Sequence, residues 1–253
     1  MADGSAIEWT EATWNPTTGC DRVSVGCDNC YALTLAKRLK AMGAEKYQLD
    51  GDPRTSGPGF GVQTHPTALD LPYRWRSPRV VFVNSMSDLF HARIPKAFIA
   101  DVFAVMSNTP QHTYQVLTKR SVRLRRIAEE LPWPDNVWIG VSVENAEQRT
   151  RLDDLRAVPA RTRFLSAEPL LGPLHTADDP LNLTGISWVI TGGESGPRAR
   201  PCDPTWVRDI RDVCADSGAA FFHKQWGGRT PKAGGRDLDG VTHSAMPALA
   251  AHA

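Results

Sequence analysis

Short runs of apolar and β-branched residues recur along the chain, each closing on a small polar cluster and each followed by a stretch of helical spacing. The clearest are Val80-Val81-Phe82-Val83, Tyr114-Gln115-Val116-Leu117, Val137-Trp138-Ile139-Gly140-Val141, Arg163-Phe164-Leu165, Ser187-Trp188-Val189-Ile190 and Ala219-Ala220-Phe221-Phe222. A weaker seventh run falls within 7–14, just ahead of Cys20. Helical spacing covers 31–41, 95–107, 121–131, 146–157 and 204–216. Pro95 and Pro204 suit a first turn, where a missing N–H costs nothing, and Ser121 and Asn145 read as caps. This βα rhythm predicts an α/β fold: a partial (β/α) TIM-like barrel of about six to seven parallel strands joined by right-handed crossovers. An open doubly wound sheet is the alternative, because nothing in the pattern fixes strand order.

Two segments break the rhythm. Gly51, Pro53, Gly57, Pro58, Gly59 and Pro66 crowd 48–72, which reads as an ordered loop or lid on a single domain spanning 1–228. Residues 229–253 are polar, then Gly-rich, then Ala-rich, and read as a flexible C-terminal tail.

Charge narrows the picture only slightly. Lys and Arg total 29 against 28 Asp and Glu in 253 residues, a net charge of +1, so any attraction for nucleic acid must be local. No apolar run approaches the ~20 residues of a membrane span, and no signal-peptide core precedes Gly19. The expectation is a cytoplasmic protein with no membrane partner.

Chemistry enters with cysteine. Three of the five cysteines stand as C-x6-C-x2-C at Cys20, Cys27 and Cys30. Three thiolates in one loop suit a [4Fe–4S] cluster whose fourth iron stays open to an outside molecule. A zinc site with a histidine, His65 or His91 being nearest, and three unligated thiols are the competing readings. Cys214 falls among apolar helical neighbours and reads as core, whereas Cys202 follows a glycine turn and faces a less settled environment.

In a parallel barrel the residues that follow each strand converge on one face. Here they are Asn84, Ser85, Ser87 and Asp88; Thr118, Lys119 and Arg120; Ser142, Glu144 and Asn145; Ser166 and Glu168; Gly192, Gly193, Glu194 and Ser195; and His223, Lys224 and Gln225. Carboxylates and cations together suit a zwitterionic ligand, although loop residues also serve as plain caps and solvated turns. The basic run Lys119, Arg120, Arg123, Arg125 and Arg126 reads either as a phosphate contact or as a solvated helix face. Trp9, Trp14, Trp75 and Trp226 read as base-stacking candidates or as core.

The runs Trp9 to Tyr31, Ser85-Met86-Ser87-Asp88-Leu89-Phe90, Leu117-Thr118-Lys119-Arg120, Gly140 to Asn145, Ser166-Ala167-Glu168-Pro169-Leu170 and Gly192-Gly193-Glu194-Ser195-Gly196 resemble a phage-associated and bacterial three-Cys-motif family of unknown function. The resemblance covers about residues 7 to 228. That family is similar to the radical S-adenosylmethionine (radical SAM) enzymes, with a distant likeness to spore photoproduct lyase. The resemblance implies a radical SAM-like barrel with Cys20, Cys27 and Cys30 as cluster ligands and S-adenosylmethionine on the open iron. Cofactor residues carry over by position: Ser85, Ser87 and Asp88 first, then Ser142, Gly192, Gly193 and Glu194. Glu144, Glu168, Lys119 and Lys224 are the catalytic candidates. Cys20 and Cys27 stand further apart than the usual C-x3-C, and Asn29 replaces the usual aromatic before the last cysteine.

The resulting expectation is an enzyme that cleaves S-adenosylmethionine and acts on nucleic acid or a nucleotide. Its implied partners are a reductant protein and a protein encoded nearby. The alternative is a zinc- or cluster-stabilised nucleic-acid-binding module without catalysis.

Overall fold

A computed structural model of the chain describes residues 5, 7–176 and 178–249. The apolar runs form seven strands: β1 (Ala12–Trp14), β2 (Val80–Val83), β3 (Thr113–Thr118), β4 (Val137–Ser142), β5 (Thr162–Ala167), β6 (Trp188–Gly192) and β7 (Ala220–Gln225). They build one sheet in the order β1-β2-β3-β4-β5-β6-β7, each neighbour parallel to the next. The order never reverses, so the chain winds one way around a curled half-barrel and the doubly wound alternative falls. Helices α1 (Tyr31–Ala41), α2 (Lys96–Asn108), α3 (Ser121–Ile127), α4 (Thr150–Arg156) and α5 (Pro204–Ser217) occupy crossovers between the strands.

Strict alternation along the strands sorts side chains between two faces. Val81, Val83, Tyr114, Val116, Ile139, Val141, Leu165 and Val189 join Ile99 and Val102 of α2, Leu124 of α3, Leu155 of α4 and Ile210 of α5 in the main core. The intervening residues Phe82, Trp138, Phe164, Trp188, Ile190 and Phe222 meet Trp9 in a second, separate cluster on the concave side. Its rings meet mostly edge to face: Trp9 and Phe82 at 4.8 Å and 71°, Trp138 and Trp188 at 5.9 Å and 77°, Trp188 and Phe222 at 6.2 Å and 89°. Such pairs contribute about 0.5–1.5 kcal/mol each beyond their area. Gly140 makes the layer possible, because a Cβ there would stand 2.4 Å from the Phe164 ring. Further along the strands the inward positions turn polar, at Asn84, Ser142, Ser166 and Lys224. The concave face is therefore closed by aromatics at one end and polar at the other.

Helix starts differ from the sequence signals in detail. Ser121 is the first residue of α3, and its Oγ donates to Asp154 Oδ2 at 2.7 Å rather than capping the helix. The 146–157 segment opens as a 3-10 turn, Ala146–Gln148, and becomes α-helical only at Thr150. The working cap is Asp203, whose Oδ1 accepts from Thr205 N at 2.8 Å ahead of Pro204 in α5.

The irregular 48–72 loop is tied down by a short antiparallel ladder between Thr17–Thr18 and Gln63–Thr64, and Phe60 packs on Ala32, Ala36 and Met86. Residues 229–249 differ from the expected flexible tail. Asp237–Leu238 pairs with Val241–Thr242, Leu238 is buried in the main core, and Asp237 O accepts from Trp226 Nε1 at 2.9 Å. Leu238 in the main core and Met246, packed on the aromatic cluster, anchor it. The tail's last residues, 250–253, lie outside the described residues. Among the described residues no helix is long and apolar enough to cross a membrane.

Candidate functional site

Above the aromatic layer the half-barrel encloses a cavity of about 990 Å³, with Trp9, Phe82 and Leu117 at its apolar end. Cys20, Cys27, Cys30, Ser85, Ser87, Asp88, Lys119, Ser142, Glu168, Gly193, Glu194 and Lys224 all line it. Glu144 and Gly192 stand behind its wall. Parallel strands that end together bring about this convergence, and the cysteine loop between β1 and α1 closes the polar side.

The loop is held from several strand ends at once. Asp21 takes hydrogen bonds from Thr55 Oγ1 at 2.7 Å, Ser56 Oγ at 3.1 Å and Arg93 Nη2 at 2.8 Å, and pairs with His91 Nε2 at 2.9 Å. Burial would raise the Asp21 carboxyl, yet these bonds together hold it well below the usual carboxylate range. Ser24 Oγ donates to Glu144 Oε1 at 2.7 Å, while Arg151 Nη1 holds Glu144 Oε2 at 3.0 Å. Gly26 lies so close that a Cβ would stand 2.4 Å from Glu144 Cγ and Oε1. Asn29 Nδ2 donates to Glu194 Oε2 at 2.9 Å, and Arg200 binds Glu194 through Nη2 at 2.6 Å and Nε at 3.0 Å. Burial would raise the Glu194 carboxyl as well; the Arg200 and Asn29 bonds outweigh it and hold the carboxyl low. Arg200 Nη2 also reaches Val25 O at 2.8 Å, and Arg120 Nη2 reaches Asp21 O at 3.0 Å.

Cys20, Cys27 and Cys30 are free and partly buried. Burial pushes the Cys20 thiol up to about 12, with Asp88 adding to the shift and Arg120 opposing it. Burial also raises the Cys30 thiol, against the pull of the Ala32 N–H and Lys119. As the side chains stand, no group of three or more His, Cys, Asp or Glu among the described residues is placed to hold a metal ion. The histidines suggested for a zinc site are engaged elsewhere: His91 is bonded to Asp21, and His65 Nε2 lies 2.8 Å from Thr18 Oγ1; Cys202 packs against the main core. Cys214 is buried on α5 as its apolar surroundings required.

The remaining candidates divide by what they touch. Asp88 accepts from Thr118 Oγ1 at 2.7 Å, Phe90 N at 3.0 Å and Lys119 N at 3.0 Å, tying the end of β2 to the end of β3. Ser87 Oγ meets Thr17 Oγ1 at 2.7 Å, and Ser85 Oγ takes a hydrogen bond from Asn15 Nδ2 at 3.2 Å. Lys224 Nζ pairs with Glu168 Oε1 at 3.0 Å across the cavity wall, and Lys119 Nζ stands 3.8 Å from Glu144 Oε1. The glycine pair serves close packing: a Cβ at Gly192 would lie 2.7 Å from Glu168 Oε1, and one at Gly193 would lie 2.0 Å from Trp226 O. Trp9 and Trp14 are buried, whereas Trp75 and Trp226 pack only partly against the core.

Sequence reasoning missed Arg151 and Arg200, the partners of Glu144 and Glu194. It also missed Tyr31, whose Oη donates to Ser85 O at 2.5 Å while its ring faces the cavity. The ExxxxxxR spacing from Glu144 to Arg151 carried the only signal for such a pair, and a single spacing of that kind is unremarkable in any helix-bearing chain.

No curated protein and no solved structure matches the chain. A family model described as "Protein of unknown function (DUF5131)" matches residues 4–247, which takes in every strand of the sheet and the whole of the cavity wall. The chain belongs to that family.

Proposed function

We propose that this protein is a radical SAM-type enzyme that carries an iron–sulfur cluster on Cys20, Cys27 and Cys30 and cleaves S-adenosylmethionine in the half-barrel cavity. The observation that carries the reading is the convergence of three free thiols and a set of charged strand-end side chains on one cavity with an aromatic end. The donor set fits a three-thiolate cluster in kind and number, and no histidine lines the cavity among the described residues to complete a zinc site. Holding the cluster would require the three thiols in their deprotonated form, since thiolates are the ligands. When bound, the group supplies one-electron reduction of the sulfonium cofactor.

The chain's own residues then divide the work. Glu144 and Glu194 hold the cysteine loop in place, and Lys119 supplies positive charge beside Cys30. The Glu168–Lys224 pair offers an acceptor and a donor to a zwitterionic cofactor, beside the Ser142 and Ser166 positions. The aromatic end excludes water from one side of the reacting volume.

Anaerobic reconstitution tests the metal: brown protein with about four irons per chain is expected, and colourless protein carrying one zinc overturns the reading. Dithionite with S-adenosylmethionine then tests the chemistry through release of 5′-deoxyadenosine. A Cys27→Ala variant that still released it would exclude the ligand set.

A further inference from the structure

A second concavity, a groove of about 620 Å³, lies between α3, the start of α4 and the residues that follow β2, and meets the cysteine loop at Val23. Val23, from the stretch that lengthens the Cys20 to Cys27 spacing, forms one wall, and Val122 of α3 forms the other. Both valines are exposed, at 43% and 55%. The loop around Val23 is rigidly posted: Asp21 and Ser24, on either side, are the residues bonded to His91, Arg93 and Glu144. A fixed ridge that turns an aliphatic side chain to solvent serves contact better than local stability.

The charge in this groove is one-sided. Lys119, Arg120, Arg123, Arg126 and Arg151 line it, with Asp154 as the only carboxylate among the described lining residues. Arg151 is neutralised by Glu144, which Lys119 approaches only to 3.8 Å, and Asp154 by Arg125 at 3.4 Å. Arg123 and Arg120 make hydrogen bonds to neutral carbonyls, His91 O and Ile94 O for the first and Asp21 O for the second, which leave their charge in place. The nearest carboxylate to Arg120 is Asp88, 3.9 Å from its Nε. Burial together with Arg120 lowers the Arg123 pKa, as crowded cations require.

This distribution separates two kinds of anionic partner. Phosphate recognition needs guanidinium N–H groups that point outward in a free fork. Here Arg120 and Arg123 give N–H groups to the backbone, which leaves Arg126 as the guanidinium turned outward, while the two exposed valines would stay uncovered against a phosphate chain. A protein surface with acidic side chains around an apolar centre needs only the field and the two valines.

We infer that this groove docks an acidic protein, its apolar centre on Val23 and Val122 and its carboxylates around Arg126 and Lys119. Lys119 lines both this groove and the cavity, and the wall between them is the cysteine loop itself. A partner seated there lies against the loop from outside, the position an electron donor requires. That last role rests on the cluster reading above.

The test uses a reduced flavodoxin, an acidic one-electron carrier, and the double variant Val122→Asp with Arg126→Glu, whose residues touch neither the cavity nor the cysteines. With reconstituted protein at low salt, the variant should be reduced by the carrier about ten-fold or more slowly than wild type, and by dithionite at the wild-type rate. The wild-type rate with carrier should fall as salt rises. Equal carrier rates in the two proteins overturn the proposal. The docking itself is measured separately by calorimetry on iron-free protein, where the carrier should bind wild type and not the variant. Failure to bind wild type, or binding of a single-stranded oligonucleotide that the variant loses, overturns it regardless of the iron content. Absence of iron with intact docking counts against the cluster reading alone.

Discussion

Replacing Gly26 with alanine strikes the contact on which the cysteine loop rests. The new Cβ would meet Glu144 Cγ and Oε1 at 2.4 Å, about 1 Å inside ordinary contact. Glu144 is fully buried and fastened from behind by Arg151 at 3.0 Å, so the carboxylate has nowhere inexpensive to go. The loop must lift, and lifting it breaks the 2.7 Å bond from Ser24. A hydrogen bond to a charged group contributes about 1.5–3 kcal/mol, and overpacking of this kind costs about 1–3 kcal/mol. Since one relieves part of the other, a net cost of about 2–4 kcal/mol falls on the loop, a shift of roughly 30- to 1000-fold in its opening equilibrium. Hydrogen exchange should read it directly, as faster exchange at 20–30 with protection in the seven strands retained. Under the cluster reading, iron retention falls in parallel. Wild-type protection of the loop in Gly26→Ala would refute the role given to this contact, and a Ser24→Ala control should show the smaller part of the effect.

Other perturbations test different parts of the fold and site. Gly140→Ala drives a Cβ into the Phe164 ring and should lower global stability by about 1–3 kcal/mol in urea titration, whereas a neutral result would mean the aromatic layer is loose. Leu238→Ala should cost about 2–4 kcal/mol if residues 229–249 are part of the core; an unchanged midpoint would return them to the status of a tail. His223 is buried against Thr191 Oγ1 at 2.9 Å, and burial, with Arg236 and His243 nearby, lowers its pKa to about 4 from the usual 6.5. The unfolded chain therefore binds the proton first, so stability is full above pH ~6.5 and falls as pH drops toward about 4, by on the order of 3 kcal/mol. His223→Asn should flatten that slope by about one proton, and an unchanged slope would exclude His223 as its source. Under the cluster reading, Lys224→Met should reduce 5′-deoxyadenosine release by at least about ten-fold while the iron content stays at the wild-type level; equal release would remove the Glu168–Lys224 pair from the proposed cofactor site.

The strands were legible because each is a short apolar run with punctuation at both ends. What the run pattern omits is which face is which. Phe82, Trp138, Phe164, Trp188 and Phe222 read individually as core residues; only an uninterrupted strand order gathers them on the concave side. Direction of winding depends on crossovers, and a βα rhythm is common to one-way and reversing sheets. Leu238 was hidden for another reason, as the few apolar residues of 229–249 follow no periodicity that would mark one of them as buried. The convergence of Ser85, Asp88, Lys119, Ser142, Glu168, Glu194 and Lys224 on the cysteine cavity followed from strand ends alone. Their division into loop supports and cavity-facing groups did not, because it turns on Arg151 and Arg200, which sequence places on unrelated segments.

That division changes how an acidic strand end should be read. A buried carboxylate is expensive unless it is paired and hydrogen-bonded. Glu144, Glu194 and Asp21 each meet that requirement with an arginine and a group from the cysteine loop or one facing it. The loop has little apolar surface of its own to bury: Val23 and Val25 point outward, and Gly26 is its fully buried residue. Between Cys20 and Cys30, which pack on the cluster of Ala32, Ala36, Phe60 and Met86, hydrophobic contact is scarce and charged posts hold the loop. Asp21, Ser24 and Gly26 are the positions that face the posts, and the residues between them are released to form the outer ridge. The Glu168–Lys224 pair is different, since it touches no part of the loop and stands within the cavity, which makes it the carboxylate–ammonium pair left for a ligand.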